Sequence, residues 1–146
     1  MNKWIQTVIL FFLVSSMSAV VFATGGFIST GKGLQYKDLK SGAGEHAETG
    51  DVATIHFASW LDDAGRKGRG IYNTRNHSHP VSFVIGTDRI MPGWNEGVIG
   101  MRPGGKRLLK IPAELGYGAR GVQDVVPPNA SLIFVIELLE LEKRSE

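Results

Sequence analysis

The strongest constraint on the fold of this chain is an almost uninterrupted apolar run near its end, residues 131–141. Successive side chains of a β-strand point to opposite faces of a sheet. One face of this run would carry Leu132, Phe134, Ile136 and Leu138, and the other would carry Ile133, Val135 and Leu139. A strand that is apolar on both faces belongs inside a sheet, so the run predicts a central strand.

Shorter segments with apolar and polar residues in alternation predict the neighbouring strands. They are residues 34–39, 52–61, 71–74, 81–85 and 106–111. The sequence DDAGRKGRG, residues 62–70, is polar and rich in glycine, and it predicts a loop. The 19 glycines of the chain show no period and lie between the apolar runs. They are typical of turns in a fold rich in strands.

Residues 91–101 are the one segment after the N-terminal region that predicts a helix. Pro92 suits the first helical turn, where its missing N–H is not needed. Trp94, Val98 and Met101 would form one apolar stripe. Three glycines weaken the helix by about 0.8–1.0 kcal/mol each relative to alanine, so it must form by packing on a partner. Five or six strands and one short helix predict an α+β domain with an antiparallel sheet wrapped on the helix.

The first 23 residues differ in character from the rest of the chain. Lys3 is the only charged residue before Lys32, and residues 8–14 are all apolar. A basic start, an apolar stretch and Ala23 at a plausible cleavage point indicate an export signal, and an uncleaved membrane anchor is the alternative. We therefore expect a signal or anchor at residues 1–23, a flexible lead-in at 24–33 and one domain at 34–146. The mature protein would be periplasmic or secreted, and membrane-bound only if the first segment is kept.

The charge balance and the cysteine count exclude several classes of function. The chain has 16 Lys and Arg against 14 Asp and Glu, and removal of residues 1–23 would take away Lys3 and leave a net charge of 15 − 14 = +1. Nucleic-acid binding proteins normally carry a clear basic excess, so no nucleic-acid partner is expected. The chain has no cysteine, which excludes a thiol nucleophile and a cysteine-ligated zinc site.

The common catalytic and cofactor motifs are missing from the sequence. It has no phosphate-binding loop, no HExxH, no GxSxG and no dinucleotide-binding fingerprint, so no cofactor is expected. His77 and His79 could chelate a transition metal, but such a pair is more typical of a polar loop, and no metal site is predicted. His56 lies within a predicted strand, where we expect a hydrogen-bonded structural histidine.

Aromatic residues are contributed by many different elements of the predicted fold. They are Phe57, Tyr72, Phe83, Trp94, Tyr117 and Phe134. Each alone could be an ordinary core residue. An aromatic basin with few polar groups is, however, the usual composition of a ligand pocket.

Four ordered motifs resemble one known family. They are IMPGWNEG at 90–97, PGGKR at 103–107, IPAELGYG at 111–118 and VPPNASLIFVIELL at 126–139. In this order, and with the weaker likeness extending from residue 34 to 141, they resemble the FKBP-type peptidyl-prolyl cis/trans isomerases. The resemblance implies a half-barrel antiparallel sheet curled over one short helix, with a pocket between them.

The same resemblance implies which residues form the site. Trp94 would be the pocket floor, and the hydroxyl of Tyr117 would bond a substrate carbonyl. The residues implied in catalysis are Tyr117, Asn73, Phe57, Phe134 and Trp94. Those implied in substrate binding are Tyr72, Val81, Phe83, Ile90, Met91 and Val126. The implied substrates are proline-containing polypeptides, and macrolide inhibitors of the FK506 type are implied ligands.

The sequence also departs from the family pattern. Asn73 stands where the family usually has Asp, Phe57 replaces a Tyr, and Val81 replaces a common Phe. Residues 63–70 form a longer insertion than usual, with three basic residues expected near the pocket rim: Arg66, Lys67 and Arg69. These changes would lower activity and weaken inhibitor binding. A proline-segment binding or chaperone-like module with little turnover is therefore the alternative to an active isomerase.

Overall fold

The computed structural model describes residues 26–77 and 79–144, and the expected export signal lies outside these ranges. This described part forms seven strands and one α-helix. The strands are β1 Ile28–Ser29, β2 Gln35–Lys40, β3 Val52–Asp63, β4 Arg66–Asn73, β5 Val81–Val84, β6 Lys106–Ile111 and β7 Leu132–Glu142. Helix α1 covers Pro92–Gly97, between β5 and β6. Within the same residues, no helix combines the length and the apolar character that a membrane span requires.

All strands join one antiparallel sheet, in the order β1-β2-β6-β7-β3-β4. Strand β5 pairs with the first half of β3, on the same edge where β4 pairs with the second half. Strand β7 lies between β6 and β3, which confirms the predicted central strand. The predicted α+β class is also confirmed. The strand count exceeds the predicted five or six because Ile28–Ser29 of the lead-in pairs with β2.

The two faces of the sheet have different partners. The side chains of β7 that face α1 are almost completely buried, and we call this side the inner face. They are Leu132, Phe134, Ile136 and Leu138. On the other side, the outer face, Val135 and Leu139 are only partly buried. The helix and the inner face therefore enclose one core, and any pocket between them is lined by inner-face residues.

Residues 62–70 were predicted to be a loop, and that prediction is wrong. Strands β3 and β4 continue as a hairpin to Asp63 and Arg66, with Ala64 (φ 49°) and Gly65 (φ 83°) as the turn. Positive φ at both central residues matches the twist of a two-residue hairpin. Asp62 and Asp63 stand opposite Lys67 and Arg66, and these cross-strand pairs of opposite charge favour the strand.

The helix is shorter than the predicted segment 91–101, because it ends at Gly97. Gly100 adopts φ +81°, a left-handed conformation that stops further helical turns. Val98 and Met101 nevertheless remain buried, at 0% and 3% exposure. The apolar stripe that the sequence predicts is therefore real, but its second half lies on a turn.

A buried arginine satisfies the end of the helix. Arg107, 5% exposed on β6, donates from Nη1 to the carbonyls of Gly97 (3.0 Å) and Ile99 (2.8 Å). Its Nε donates to Asp38 on β2 at 2.6 Å. The last carbonyls of a helix lack partners within the helix, so this side chain ties the end of α1 to the sheet.

Strand β7 is also fixed at its far end by an ion-pair network. Lys143 Nζ lies 2.7 Å from an oxygen of Asp51 and 2.9 Å from an oxygen of Glu48. The hydrogen bonds with Lys143 lower the pKa of both carboxyl groups, and they raise the pKa of Lys143. The network joins the end of the central strand to the segment before β3.

The helix approaches the sheet closely because two of its residues have no side chain. A Cβ on Gly93 would lie 2.7 Å from Ile111 Cγ2 and 3.0 Å from the carbonyl oxygen of Leu115. A Cβ on Gly97 would lie 2.5 Å from Leu109 Cδ1. The glycines that weaken the isolated helix are thus the residues that let it pack against β6.

Gly93→Ala is expected to destabilise the fold by about 1–3 kcal/mol, the usual effect of overpacking, although alanine is the better helix former. Urea unfolding followed by circular dichroism measures the change. Gly31→Ala is the matched control, because a Cβ at Gly31 meets no atom within 4 Å. A Gly93→Ala protein as stable as the wild type would contradict the close packing.

Candidate functional site

Four aromatic rings meet between the sheet and the helix, and we call them the aromatic cluster: Phe57 on β3, Phe83 on β5, Trp94 on α1 and Phe134 on β7. Trp94 is at its centre. The Trp94 ring centroid lies 4.8 Å from that of Phe57 and 5.6 Å from those of Phe83 and Phe134. The Phe134 ring stands at 88° to it, an edge-to-face contact that aromatic pairs prefer. The predicted convergence of these four residues is therefore present in the structure.

The cluster is buried at its base and open at its rim. Phe83 and Phe134 are 5% and 2% exposed, whereas Tyr72 is 43% exposed. Tyr72 on β4 stacks against Phe57 with a centroid separation of 5.7 Å. His77 stacks in turn on Tyr72, at 4.6 Å and 10°. A continuous aromatic surface therefore runs from the core to solvent.

One polar atom of the cluster is without a partner. Trp94 Nε1 is buried, and it has no hydrogen-bond acceptor among residues 26–77 and 79–144. An unsatisfied buried donor costs about 1–3 kcal/mol, so such groups are uncommon in folded proteins. The cluster is otherwise an apolar surface.

The other predicted binding residues surround the cluster. Val81, Ile90 and Met91 are partly buried and pack against the same core, and Val126 is 3% exposed within it. Tyr117 is 41% exposed and follows the short 3₁₀ turn Ala113–Leu115. Its side chain is therefore exposed to solvent.

Asn73 is placed differently from the other predicted residues. Its Oδ1 accepts a hydrogen bond from the backbone N–H of Arg75 at 3.0 Å, which shapes the turn after β4. It also lines a cleft of about 180 Å³ on the outer face, away from α1. Other residues of this cleft include His56, Trp60, Lys67, Arg75, Lys106 and Glu137. The structure thus gives Asn73 a turn-forming role and a position behind the aromatic rim.

Of the three basic residues expected near the pocket rim, only Arg69 reaches towards it. Its Nη2 donates to the carbonyl of Val125 at 2.6 Å, next to the buried Val126. Lys67 instead lies 4.1 Å from the ring of Trp60 on the outer face. Arg66 stands at the tip of the hairpin. The expectation for Lys67 and Arg66 is therefore wrong: both belong to strand β4 of the hairpin, and a register shift between β3 and β4 separates the orientation of Lys67 from that of Arg69.

The two histidines considered for metal binding have other surroundings. His77 stacks on Tyr72, and its Nδ1 lies 3.0 Å from the carbonyl oxygen of Asn73. His79 is exposed. In the described part of the chain, no group of three or more His, Cys, Asp or Glu side chains could hold a metal ion.

The sequence did not reveal the role of Thr74, whose hydroxyl bonds the backbone of Phe57 in the aromatic cluster. Thr74 is 1% exposed, and its Oγ1 lies 2.9 Å from the N–H of Phe57 and 3.2 Å from the Phe57 carbonyl oxygen. It also lies 2.8 Å from His56 Nδ1, which gives His56 the expected structural role. A threonine in a polar segment gives no indication in the sequence that it is buried. Its hydrogen bonds to Phe57 and His56 can therefore be recognised only in the tertiary structure.

Thr74→Val is expected to destabilise the protein more than Thr74→Ser. Valine keeps the shape but leaves the Phe57 N–H unpaired, at a cost of about 1–3 kcal/mol. Serine keeps the hydroxyl and loses a methyl group, worth about 0.8 kcal/mol. Chemical unfolding of both variants measures the difference. If Thr74→Ser destabilises the protein as much as Thr74→Val does, the hydroxyl does not hold Phe57 in place.

The fold and the site together define a class: a small α+β domain in which, over the described residues, an antiparallel sheet and one α-helix enclose an aromatic cluster. Comparison with known proteins specifies the class further. The FKBP-type peptidyl-prolyl cis-trans isomerase family matches residues 43–139. The chain therefore belongs to the FKBP-type peptidyl-prolyl cis-trans isomerase family, as the sequence motifs predict.

Individual relatives agree with this assignment. The chain is 40% identical to an FK506-binding protein of Neisseria meningitidis serogroup B, over 75% of this chain and 96% of the relative. It is 36% identical to peptidyl-prolyl cis-trans isomerase FKBP2 of Bos taurus, over 99% of this chain and 97% of the relative.

Solved structures show the same fold. FkpA from Escherichia coli superposes with a TM-score of 0.72 and 34% identity, over 82% of this chain and 53% of FkpA. The chain thus spans about half the length of FkpA. AtFKBP13 superposes with a TM-score of 0.69 and 31% identity, over 78% of this chain and 97% of that protein.

Proposed function

We propose that this isomerase binds the proline of a polypeptide in the aromatic cluster and accelerates rotation of the preceding X-Pro bond there. The observation that carries the proposal is the position of Trp94, which has three aromatic rings around it and an open rim at Tyr72. A proline ring is small, apolar and flat enough to pack on an indole. The surface that runs from the core to solvent lets the rest of the polypeptide remain outside.

The proposed mechanism requires no covalent intermediate. Amide resonance gives the peptide bond a rotation barrier of about 18–20 kcal/mol, so uncatalysed X-Pro isomerisation takes about 10–100 s. Planar amides owe part of their stability to a charge-separated resonance form, which an apolar site disfavours. A site that fits the twisted amide better than either planar isomer lowers the barrier, and each 1.36 kcal/mol gives tenfold in rate.

The residues would divide this work between floor, walls and rim. Trp94 would lie under the proline ring, with Phe57, Phe83 and Phe134 as walls. Tyr117, which is exposed, would donate its hydroxyl to a substrate carbonyl. Four further residues would complete the apolar wall: Val81, Ile90, Met91 and Val126. The backbone N–H of Met91 would be a second donor to the bound segment.

The departures from the family pattern support a lower rate than that of a typical member. Phe57 has no hydroxyl for the twisted amide. Asn73 has no charge, and its Oδ1 is already engaged by the Arg75 N–H. This last contact favours the second candidate function, a proline-segment binding module with little turnover. Weaker binding of FK506-type macrolides would follow from the same changes.

We also propose that the natural substrates are exported proteins. The apolar first segment, with a single lysine before a candidate cleavage site, supports export to the periplasm or secretory pathway. The substrates would then be proline-containing polypeptides that fold after export. Neither a cofactor nor a nucleic-acid partner enters this proposal.

A protease-coupled assay on an X-Pro peptide is expected to show isomerisation faster than in buffer alone. Trp94→Leu should lower kcat/KM at least about tenfold, which corresponds to 1.36 kcal/mol of lost transition-state stabilisation. Trp60→Leu is the matched control, because Trp60 lines the outer-face cleft, and its rate should equal that of the wild type. Circular dichroism verifies that each variant is folded. A folded wild-type protein that does not exceed the buffer rate would leave only the binding-module function.

A further inference from the structure

A second cavity adjoins the aromatic cluster. It has a volume of about 700 Å³ and lies between β4 and the chain segment 120–128. The residues that matter for its chemistry are Arg69, Arg120, Val122, Asp124, Val125 and Val126. Val126 belongs both to this cavity and to the core around Trp94. The cavity and the core around Trp94 therefore have a wall residue in common.

Segment 120–128 forms one wall of the cavity and is held in place by backbone hydrogen bonds. The N–H of Val122 donates to the carbonyl of Val126 at 2.9 Å, and the N–H of Val126 donates back at 2.8 Å. Gly121 N–H donates to the carbonyl of Tyr117 at 3.1 Å. Arg69 fastens the same segment to β4 through the Val125 carbonyl. The cavity is thus preformed, and the hydrogen bond from Gly121 links its shape to the position of Tyr117.

The charged groups that line the cavity are two arginines and one aspartate, Asp124. Within the described residues, 26–77 and 79–144, neither Arg69 nor Arg120 takes part in an ion pair. Arg69 uses Nη2 for the Val125 carbonyl, which leaves its other N–H groups free for a further acceptor. Val122 and Val125 expose 37% and 39% of their surface beside these cations. The wall therefore offers positive charge next to apolar surface.

We propose that this cavity is a subsite for an acidic side chain, Asp or Glu, of the same polypeptide whose proline occupies the aromatic cluster. The inference rests on the proposed isomerase site and names its substrate class. Guanidinium groups bind carboxylates through paired, charge-assisted hydrogen bonds, and Arg120, which has no ion pair within the described part of the chain, is the donor for such a pair. Because Val126 belongs to both the cavity and the core around Trp94, the acidic residue is placed near the proline, within about three positions of an extended chain that spans about 3.3–3.6 Å per residue.

The test uses sets of three peptides, and the members of a set differ only in one residue near the proline: Glu, Ala or Lys. Each substitution is placed in turn before and after the proline, at the first to third position. On at least one side, kcat/KM at low salt is expected to be about two- to fivefold higher for Glu than for Ala, and lower for Lys than for Ala. This preference should shrink as salt rises, because a partly exposed ion pair is screened.

Arg120→Gln is expected to abolish the Glu-over-Ala ratio. Arg144→Gln is the matched control: it removes an exposed cation just beyond the end of β7, outside the cavity, and should keep the ratio. Equal rates for Glu and Ala peptides on both sides, or a ratio that survives in Arg120→Gln, would overturn the subsite.

Failure of the subsite can be distinguished from failure of the isomerase. If the Ala peptide is isomerised without any preference for Glu, the isomerase stands and the subsite is rejected. If no peptide is isomerised, calorimetric titration of the same peptides gives their affinities. In that case the subsite predicts a two- to fivefold tighter Kd for the Glu peptide that is lost in Arg120→Gln, and equal Kd values reject it.

Discussion

The site depends on the close approach of a short, weak helix to the inner face of the sheet. Gly93 and Gly97 bring the backbone of α1 against Ile111 and Leu109. Trp94 lies between the two glycines and is thereby pressed into the rings from three different strands. Because six residues in isolation would not form a stable helix, the tertiary contact is what makes the helix, and the same contact fixes Trp94 at the centre of the aromatic cluster.

The sheet separates two chemically different surfaces, and the alternation of side chains along β3 and β7 is the cause. Phe57 and Phe134 point towards α1. Their neighbours on the other face form a cleft with cations that include Lys67 and Lys106. The apolar face suits a reaction that needs exclusion of charge, whereas the polar face remains in water. Thr74 connects the two, because its hydroxyl holds Phe57 in place from the turn after β4.

Much of the fold follows from local sequence patterns. The central strand and Lys106–Ile111 show the alternation or double apolar face that strands require, and both were predicted correctly. The hairpin extension was missed because residues 62–70 look polar, and their strand character comes from cross-strand charge pairs. The end of the helix depends on Arg107, which lies on β6 and is held in place by Asp38, 69 positions away in the sequence. The turn role of Asn73 likewise required three-dimensional structure.

The proposed binding of substrate proline at Trp94 can be followed through the indole N–H resonances of the tryptophans. In a titration of ¹⁵N-labelled protein with an X-Pro peptide, single-residue variants assign each tryptophan signal. Trp94 Nε1 is a buried donor in the cluster without an acceptor among the described residues, whereas Trp60 lies on the outer face. We expect a saturable shift of the Trp94 signal and none of the Trp60 signal. A shift at Trp60 with Trp94 unchanged would place the substrate on the outer face and rule out binding of its proline at Trp94.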